Sequence, residues 1–347
     1  MKPTLLPVNQ FDHFYRGGNR IGALRHGPGG PQRPEEWLGS TTARFGQAPQ
    51  GFSVLPDGRL LIEAVEADPN SWLGPDHVAR YGVSTEVLVK LLDLDQRLPV
   101  HLHPNREFSR THLGLAHGKT EAWYVVDAPV GARVGVGFAE QMTLAQVADW
   151  VAQRDSEALL SALRTREVRP GDAMLVPSGL PHTVQAGVFV VELQEPTDLS
   201  ILLEWQDFNV DGMKDGHLDL GFDTALQAVD LSAVTDADMD RLVVTADSIA
   251  EAGLRTVMPA AADAYFRAHR FDTGMGTVAL DAGFAIVVVL EGTGVLTTAD
   301  GSSEVAKGDV VLVPFAAGDY TLHALGAAPL TGVVCRPPAP DAPRDPR

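Results

Sequence analysis

The chain lacks most of the features that would place it outside the soluble globular proteins. It has one cysteine, Cys335, in 347 residues, so no intrachain disulfide can form and a reducing cytoplasm is the expected compartment. No apolar run is long enough to cross a bilayer; the most apolar, AGFAIVVVL at 282–290, reads as a buried strand. The opening MKPTLLPVNQFDHFYRGG has neither a signal-peptide apolar stretch nor a small-residue cleavage site. Basic residues are few, 27 against 45 acidic ones, for a formal net charge of −18. That balance repels the phosphates of nucleic acids and anionic membranes and argues against both as partners, while leaving room for a small basic pocket.

What remains is 45% hydrophobic and 21% charged, a composition that supports a real core. Glycine and proline are frequent, at 34 and 24 residues, and long helical patterns are scarce. Short β-rich runs such as EVLVKLL, AWYVVDA, ARVGVGF, AMLVPS and GVFVVELQ dominate, followed by FAIVVVLEG, DVVLVPF and LTGVVCR. Most end at Gly, Pro or Asp, as the strands of a sandwich or barrel do. Two segments resemble one another: VRPGDAMLVPSGLPHTV at 168–184 and VAKGDVVLVPFAAGDYTL at 305–322 share a G-D-x-x-x-V-P core. Both fit a jelly-roll turn that enters a strand and leaves at a tight corner. The expected fold is mainly β, with two jelly-roll barrels: residues 1–220 for the first and 221–335 for the second. A helical insertion interrupts the first at about 139–165. There Thr143 and Gln146 form a capping box ahead of Leu144, Val147, Trp150 and Val151. A second short helix is expected at 156–163, with Leu159, Leu160 and Leu163 on one side, and another helical patch near 224–229. The Pro-rich tail 336–347 is expected to be disordered. Two barrels that bury each other fit a monomer.

The stretch LPVHLHPN, 98–105, sets His101 and His103 two apart on an expected strand, hence on one face. Downstream, Gly171, Pro177, Gly179 and His182 make a G-x5-P-x-G-x2-H pattern that resembles the second motif of the cupin superfamily. The other cupin motif is an H-x-H pair followed by a glutamate, here His101, His103 and Glu121 in HGKTEAWYVV. Three imidazoles and a carboxylate suit a divalent transition metal such as zinc. In the second barrel Gly308, Pro314, Ala316 and Gly318 keep the turn's outline, but Asp319 and Tyr320 stand where a histidine would fall. The second barrel is therefore expected to be structural.

Over nearly its whole length the chain resembles the class I mannose-6-phosphate isomerases, zinc-dependent and cupin-type, most closely their shorter bacterial forms. GGNRIG and PEEWLGS are similar to that family's glycine-rich entry and its G-E-S-W-E-I-S segment. LVKLLDLDQRLPVHLHPN is similar to its L-V-K-L-L…H-P-N block, and HGKTEAWYVVDA to H-G-K-T-E-x-W-Y. The resemblance implies Zn2+, or another divalent ion, on His101, His103, Glu121 and His182, with His101 where the family usually has glutamine. It implies a site lysine at Lys119, a strand glutamate facing the site at Glu192, and an acidic residue for proton transfer at Asp198. It also exposes a departure: the family's active-site arginine falls on Leu202 with no neighbouring Arg in that strand, though Arg106 or Arg110 could reach the pocket from the loop after HPN.

The implied reaction interconverts mannose 6-phosphate and fructose 6-phosphate through an enediol, with the metal polarising O1 and O2 and a base moving a proton between C2 and C1. Lys119 would steady the negative oxygen or an anionic substituent. Trp123 or Tyr124 could line the sugar pocket, with at least one of them expected in the core. Three alternatives follow from the same residues: an isomerase of another or unphosphorylated sugar, a sugar-binding cupin without catalysis, and an iron dioxygenase. The helical insertion and the G-K-T-E segment speak against the last.

Overall fold

The computed structural model describes residues 1–343. Strands predominate and pair antiparallel throughout, in four sheets. A six-stranded sheet runs in the order Val243–Val244, Ala173–Val176, Glu121–Asp127, Phe189–Gln194, Leu88–Asp93, Glu35–Leu38. A five-stranded sheet, in the order Ile201–Leu202, His101–Leu102, His182–Val184, Arg133–Phe138 and Leu163–Glu167, packs against one of its faces. Leu92, Trp123, Val125 and Val190 from the first meet Val134, Val136 and Val184 from the second. Strand alternation gives the six-stranded sheet a second apolar face. Val89, Leu91, Ala122, Tyr124, Val191 and Leu193 pack there against Ala268, Ile286, Val288, Val310, Leu312 and Val333. Those belong to the second half's own six-stranded sheet, whose far face closes on a four-stranded sheet through Val287, Val311, Leu296 and Leu322. The molecule is thus two sheet pairs joined back to back, which is why both central sheets read as nearly continuous apolar runs.

The repeated G-D-x-x-x-V-P segment builds the same corner twice. Gly171 and Gly308 have φ of 90° and 92°, and their N–H groups donate to Val125 O and Val289 O at 2.8 and 2.9 Å. At Gly308 a Cβ would lie 1.8 Å from Leu24 O, so only glycine fits. The copies diverge at the site: His182 is the register partner of His101 in the first half, whereas Tyr320 stands opposite Leu280 in the second.

The capping box forms as expected, with Gln146 N donating to Thr143 Oγ1 and Thr143 N to Gln146 Oε1. The helices are Leu144–Gln153 and Ser156–Ala162; Val147, Val151 and Leu159 are buried, but Leu144 is exposed and Leu163 opens a strand. Near 224–229 a turn of helix, Phe222–Ala225, runs into a 3-10 turn, Leu226–Ala228. Further short helices were not read from the sequence, among them Asn19–Arg25, Leu61–Ala67, Pro69–Leu73 and Pro75–Tyr81. None exceeds seven residues, and proline or glycine punctuates the last two.

Three segments lie differently from expectation. Residues 221–244 continue on the first sheet pair, with Val243–Val244 pairing beside Ala173–Val176 and Ala233 bridging Phe138. Thr4–Leu5 instead edges the second half's sheet, beside Val310–Val313. The tail is held as far as it is described. Arg336 ends a strand, and the carbonyls of Pro337, Ala339 and Ala342 accept from Arg267, Tyr81 and Arg80. Proline lacks only the donor, and a carbonyl-accepting tail needs none. Residues 344–347 lie outside the described residues. Among the described residues no helix is long and apolar enough to cross a membrane.

Candidate metal centre and substrate cavity

His101 and His182 are register partners on adjacent strands, and His103 follows two residues on, so all three rings leave the same side of the five-stranded sheet. Their ring nitrogens lie within 4.8 Å of one another, all buried. Each ring is held by a backbone carbonyl. His101 Nδ1 donates to Pro99 O at 2.8 Å, His103 Nδ1 to Leu199 O at 2.6 Å, and His182 Nδ1 to Leu180 O at 2.8 Å. A carbonyl only accepts, so each Nδ1 carries the hydrogen and each Nε2 presents its lone pair to the centre. Burial, more than the neighbouring rings, keeps His101 well below the usual imidazole range. Burial and the Lys119 ammonium push His103 down to about 3. The His101 and His103 rings are therefore neutral, the ligating form.

Glu121 opens the facing strand and completes the group. Its Oε2 lies 3.0 Å from His103 Nε2 and its Oε1 3.4 Å from His182 Nε2, which is buried without a hydrogen-bond partner. Lys119, on the same side, sets its ammonium 2.9 Å from His103 Nε2 and 3.1 Å from Glu121 Oε2. These lone pairs face one another across the cluster, and against the cost of burial Lys119 and His103 hold the Glu121 carboxyl well below the usual range. A buried set of three anchored imidazoles beside a carboxylate fits a divalent metal ion, and the histidine cluster could hold one.

The cluster opens into a cavity of about 770 Å³ whose wall includes His101, Lys119, Glu121, Glu192 and Asp198. Glu192, buried on Phe189–Gln194, has its Oε1 3.7 Å from Lys90 Nζ and without a hydrogen bond among the described residues. Burial raises its carboxyl to about 7 against the pull of Lys90, and the Glu121 charge adds to the rise. Asp198 is only half-buried, and its Oδ2 accepts from Phe45 N at 3.1 Å, fastening the 44–47 loop. Leu202 lines the cavity, as expected of a position that lacks the family's arginine. Neither Arg106 nor Arg110 lines it: Arg106 pairs with Glu195 at 2.5 Å and lies over the Tyr265 ring. Trp123 and Tyr124 both belong to the core, on opposite faces of their strand.

Sequence reasoning missed a second polar group in the same cavity: His13, Tyr15, Glu35, Arg44 and Lys90. Glu35 is its hub. Tyr15 OH donates to Oε1, Trp37 Nε1 to Oε2 at 2.8 Å, and Lys90 Nζ lies 3.1 Å from Oε2. Burial opposes the charge of Glu35, but His13, Lys90 and these donors hold its carboxyl far below the ordinary value. Burial likewise opposes Lys90's charge, and Glu35 and Glu192 keep the ammonium protonated. The N-terminal residues reach the site because the chain is pinned at Gly17–Arg20: Asp93 Oδ2 accepts from Gly18 N and Arg20 N at 3.1 and 2.7 Å. A Cβ at Gly17 would meet Asp93 O at 1.8 Å, so the turn needs its glycine. The available signal was Lys90 itself, one ammonium inside the apolar strand EVLVKLL.

Known proteins resemble the chain both in sequence and in fold. Mannose-6-phosphate isomerase ManA of Bacillus subtilis (strain 168) is 26% identical over 238 residues, 68% of this chain and 71% of that protein. The mannose-6-phosphate isomerase of Streptococcus mutans serotype c (strain ATCC 700610 / UA159) is 26% identical over 319 residues, 90% of this chain and 93% of that one. Over most of its length the chain is similar to mannose-6-phosphate isomerases. The crystal structure of the Bacillus subtilis mannose 6-phosphate isomerase superposes with a TM-score of 0.75 at 23% identity, over 97% of this chain and 100% of that one. No protein-family model matches the chain. Against the pattern that the sequence resemblance implies for mannose-6-phosphate isomerases, the cavity keeps a buried histidine–carboxylate cluster and lacks the arginine at Leu202.

Proposed function

We propose that this chain is a metal-dependent aldose–ketose isomerase that interconverts mannose 6-phosphate and fructose 6-phosphate through an enediol. The observation that carries the reading is the convergence of three carbonyl-anchored imidazoles and Glu121 on a cavity that also holds the free carboxylate oxygen of Glu192. His101, His103, His182 and Glu121 would hold zinc or another divalent ion. When bound, that ion supplies Lewis-acid stabilisation of the oxygen that becomes negative.

The chain's residues do the rest. Glu192, raised to about 7, is poised as general base, taking the C2 proton of the aldose and returning it to C1 while the hydroxyl proton at C2 moves to O1. Its ammonium neighbour Lys90 keeps part of its population ionised at neutral pH. Lys119 offers a positive charge beside the oxyanion. Asp198 is the weaker candidate for proton transfer, because Phe45 N already occupies one of its oxygens. Its work is to position the 44–47 loop. A reducing cytoplasm suits the lone thiol of Cys335, which is buried.

One observation favours a second reading, isomerisation of an unphosphorylated aldose. Leu202 N donates to Gly216 O at 2.9 Å, so Leu202 lies beside the 211–219 segment, whose Asp211, Asp215 and Asp219 all line the cavity. Incubating zinc-loaded protein with mannose 6-phosphate and with mannose, in parallel, tests both. The proposal predicts fructose 6-phosphate; fructose alone selects the second reading, and no ketose from either refutes catalysis.

A further inference from the structure

An isomerase of a sugar phosphate must hold a dianion, and the position where the family resemblance places a guanidinium is Leu202. The other cations of the cavity are engaged. Lys90 lies between Glu35 and Glu192, and Lys119 lies against Glu121 and His103. Among the described residues lining the cavity, Arg44 is the one cation with no carboxylate within ion-pair distance.

Its guanidinium is fixed by one nitrogen alone. Nη1 donates to Asp12 O at 2.9 Å and to Gln50 Oε1 at 3.1 Å, and the group lies over the Phe11 ring, 5.8 Å from its centroid. The Nε and Nη2 donors, the edge that forks onto an oxyanion, make no hydrogen bond among the described residues. The loop that carries Arg44 is fastened at its next residue by Asp198. Arg44 thus belongs to the wall of His13 and Asp198, away in sequence from the Leu202 and 211–219 wall that bears the three aspartates. Pre-orientation by Nη1 matters, because an arginine already ordered loses less rotamer entropy when it binds.

We propose that Arg44 is the phosphate anchor of this cavity, taking over from a loop of the N-terminal segment the role that Leu202 cannot perform. This inference rests on the isomerase reading for the identity of the sugar, but not for the binding of the dianion. Two charge-assisted hydrogen bonds to one phosphate are at stake, and losing them corresponds to roughly a 10- to 100-fold weaker affinity.

The test uses the full-length, zinc-loaded chain with R44A and R44K, and two readouts. One is the split of KM and kcat on mannose 6-phosphate. The other is a thermal-shift titration with inorganic phosphate, which does not depend on turnover. The expected result is a KM about 10- to 100-fold higher in R44A with a smaller fall in kcat, and partial recovery in R44K. The phosphate midpoint should move by a similar factor. An unchanged KM and an unchanged phosphate midpoint in R44A would overturn the assignment. If the wild-type protein forms no ketose but its phosphate midpoint still depends on Arg44, the isomerase reading falls and the anchor stands. If it turns over mannose and neither turns over the phosphate ester nor responds to phosphate, the anchor falls and the isomerase stands.

Discussion

Replacing Lys90 by methionine separates the electrostatics of this site from its packing. The Lys90 side chain is buried to 3% exposure between Glu35, at 3.1 Å, and Glu192, at 3.7 Å, over the Trp37 ring. Methionine fills much of the same volume but leaves two buried carboxylates without their shared cation. Removing one partner of a buried pair costs about 3–5 kcal/mol, so urea unfolding of K90M should show a loss of that order. The effect on Glu192 is separable. At an effective dielectric near 20, a unit charge 3.7 Å away is worth about 4 kcal/mol. If a third of that survives solvent and side-chain relaxation, the Glu192 carboxyl rises by about one further unit. A base must be ionised, so activity rises with pH through the base's own value. The acidic limb of the kcat profile should therefore lie near 7 in the wild type and about one unit higher in K90M. K90R, which keeps the charge, should restore the limb even where it perturbs packing. A K90M limb that stays near 7, measured on folded protein, would refute the claim that Lys90 controls Glu192.

Other expectations concern single residues. E192Q keeps the shape of the side chain and removes the base; kcat should fall by roughly 100- to 10,000-fold with zinc content unchanged. E121Q should weaken zinc retention against a chelator by at least about 10-fold, since a neutral amide replaces the only carboxylate of the cluster. Away from the site, burial, with Arg336 and Arg267 nearby, holds His269 at about 4, below the value near 6.5 it has when unfolded. Between those values the unfolded chain binds the extra proton, so stability falls as pH drops from about 6.5 to 4. The loss is about 2–3 kcal/mol, and H269Q should flatten that slope in urea titrations.

The parts legible in the sequence are those that a short period encodes. An H-x-H pair on a strand fixes two rings to one face, and the G-D-x-x-x-V-P turn delivers His182 opposite His101. The apolar runs give the central sheets, and the Thr143–Gln146 box gives the insertion's first helix. The unread parts have no period. His13 and Tyr15 come from an irregular N-terminal segment, and Arg44 from a loop whose place is set by distant partners, Asp12, Gln50 and Asp198. Arg106 and Arg110, close to the site in sequence, do not line the cavity. Arg106 is drawn off by Glu195, which also binds Thr120 N at 2.9 Å just ahead of Glu121. The pairing of Val243–Val244 and of Thr4–Leu5 was unread for a related reason: both are two-residue edge strands, too short to carry a pattern.

The central claim is that one divalent ion, held by His101, His103, His182 and Glu121, is required for aldose–ketose isomerisation. The most direct measurement titrates zinc back into chelated protein and records bound metal and fructose 6-phosphate formation on the same samples. The rate should climb in proportion to bound zinc and saturate at one ion per chain. Full activity in the metal-free protein, or saturation with zinc at these residues without any ketose, would contradict it.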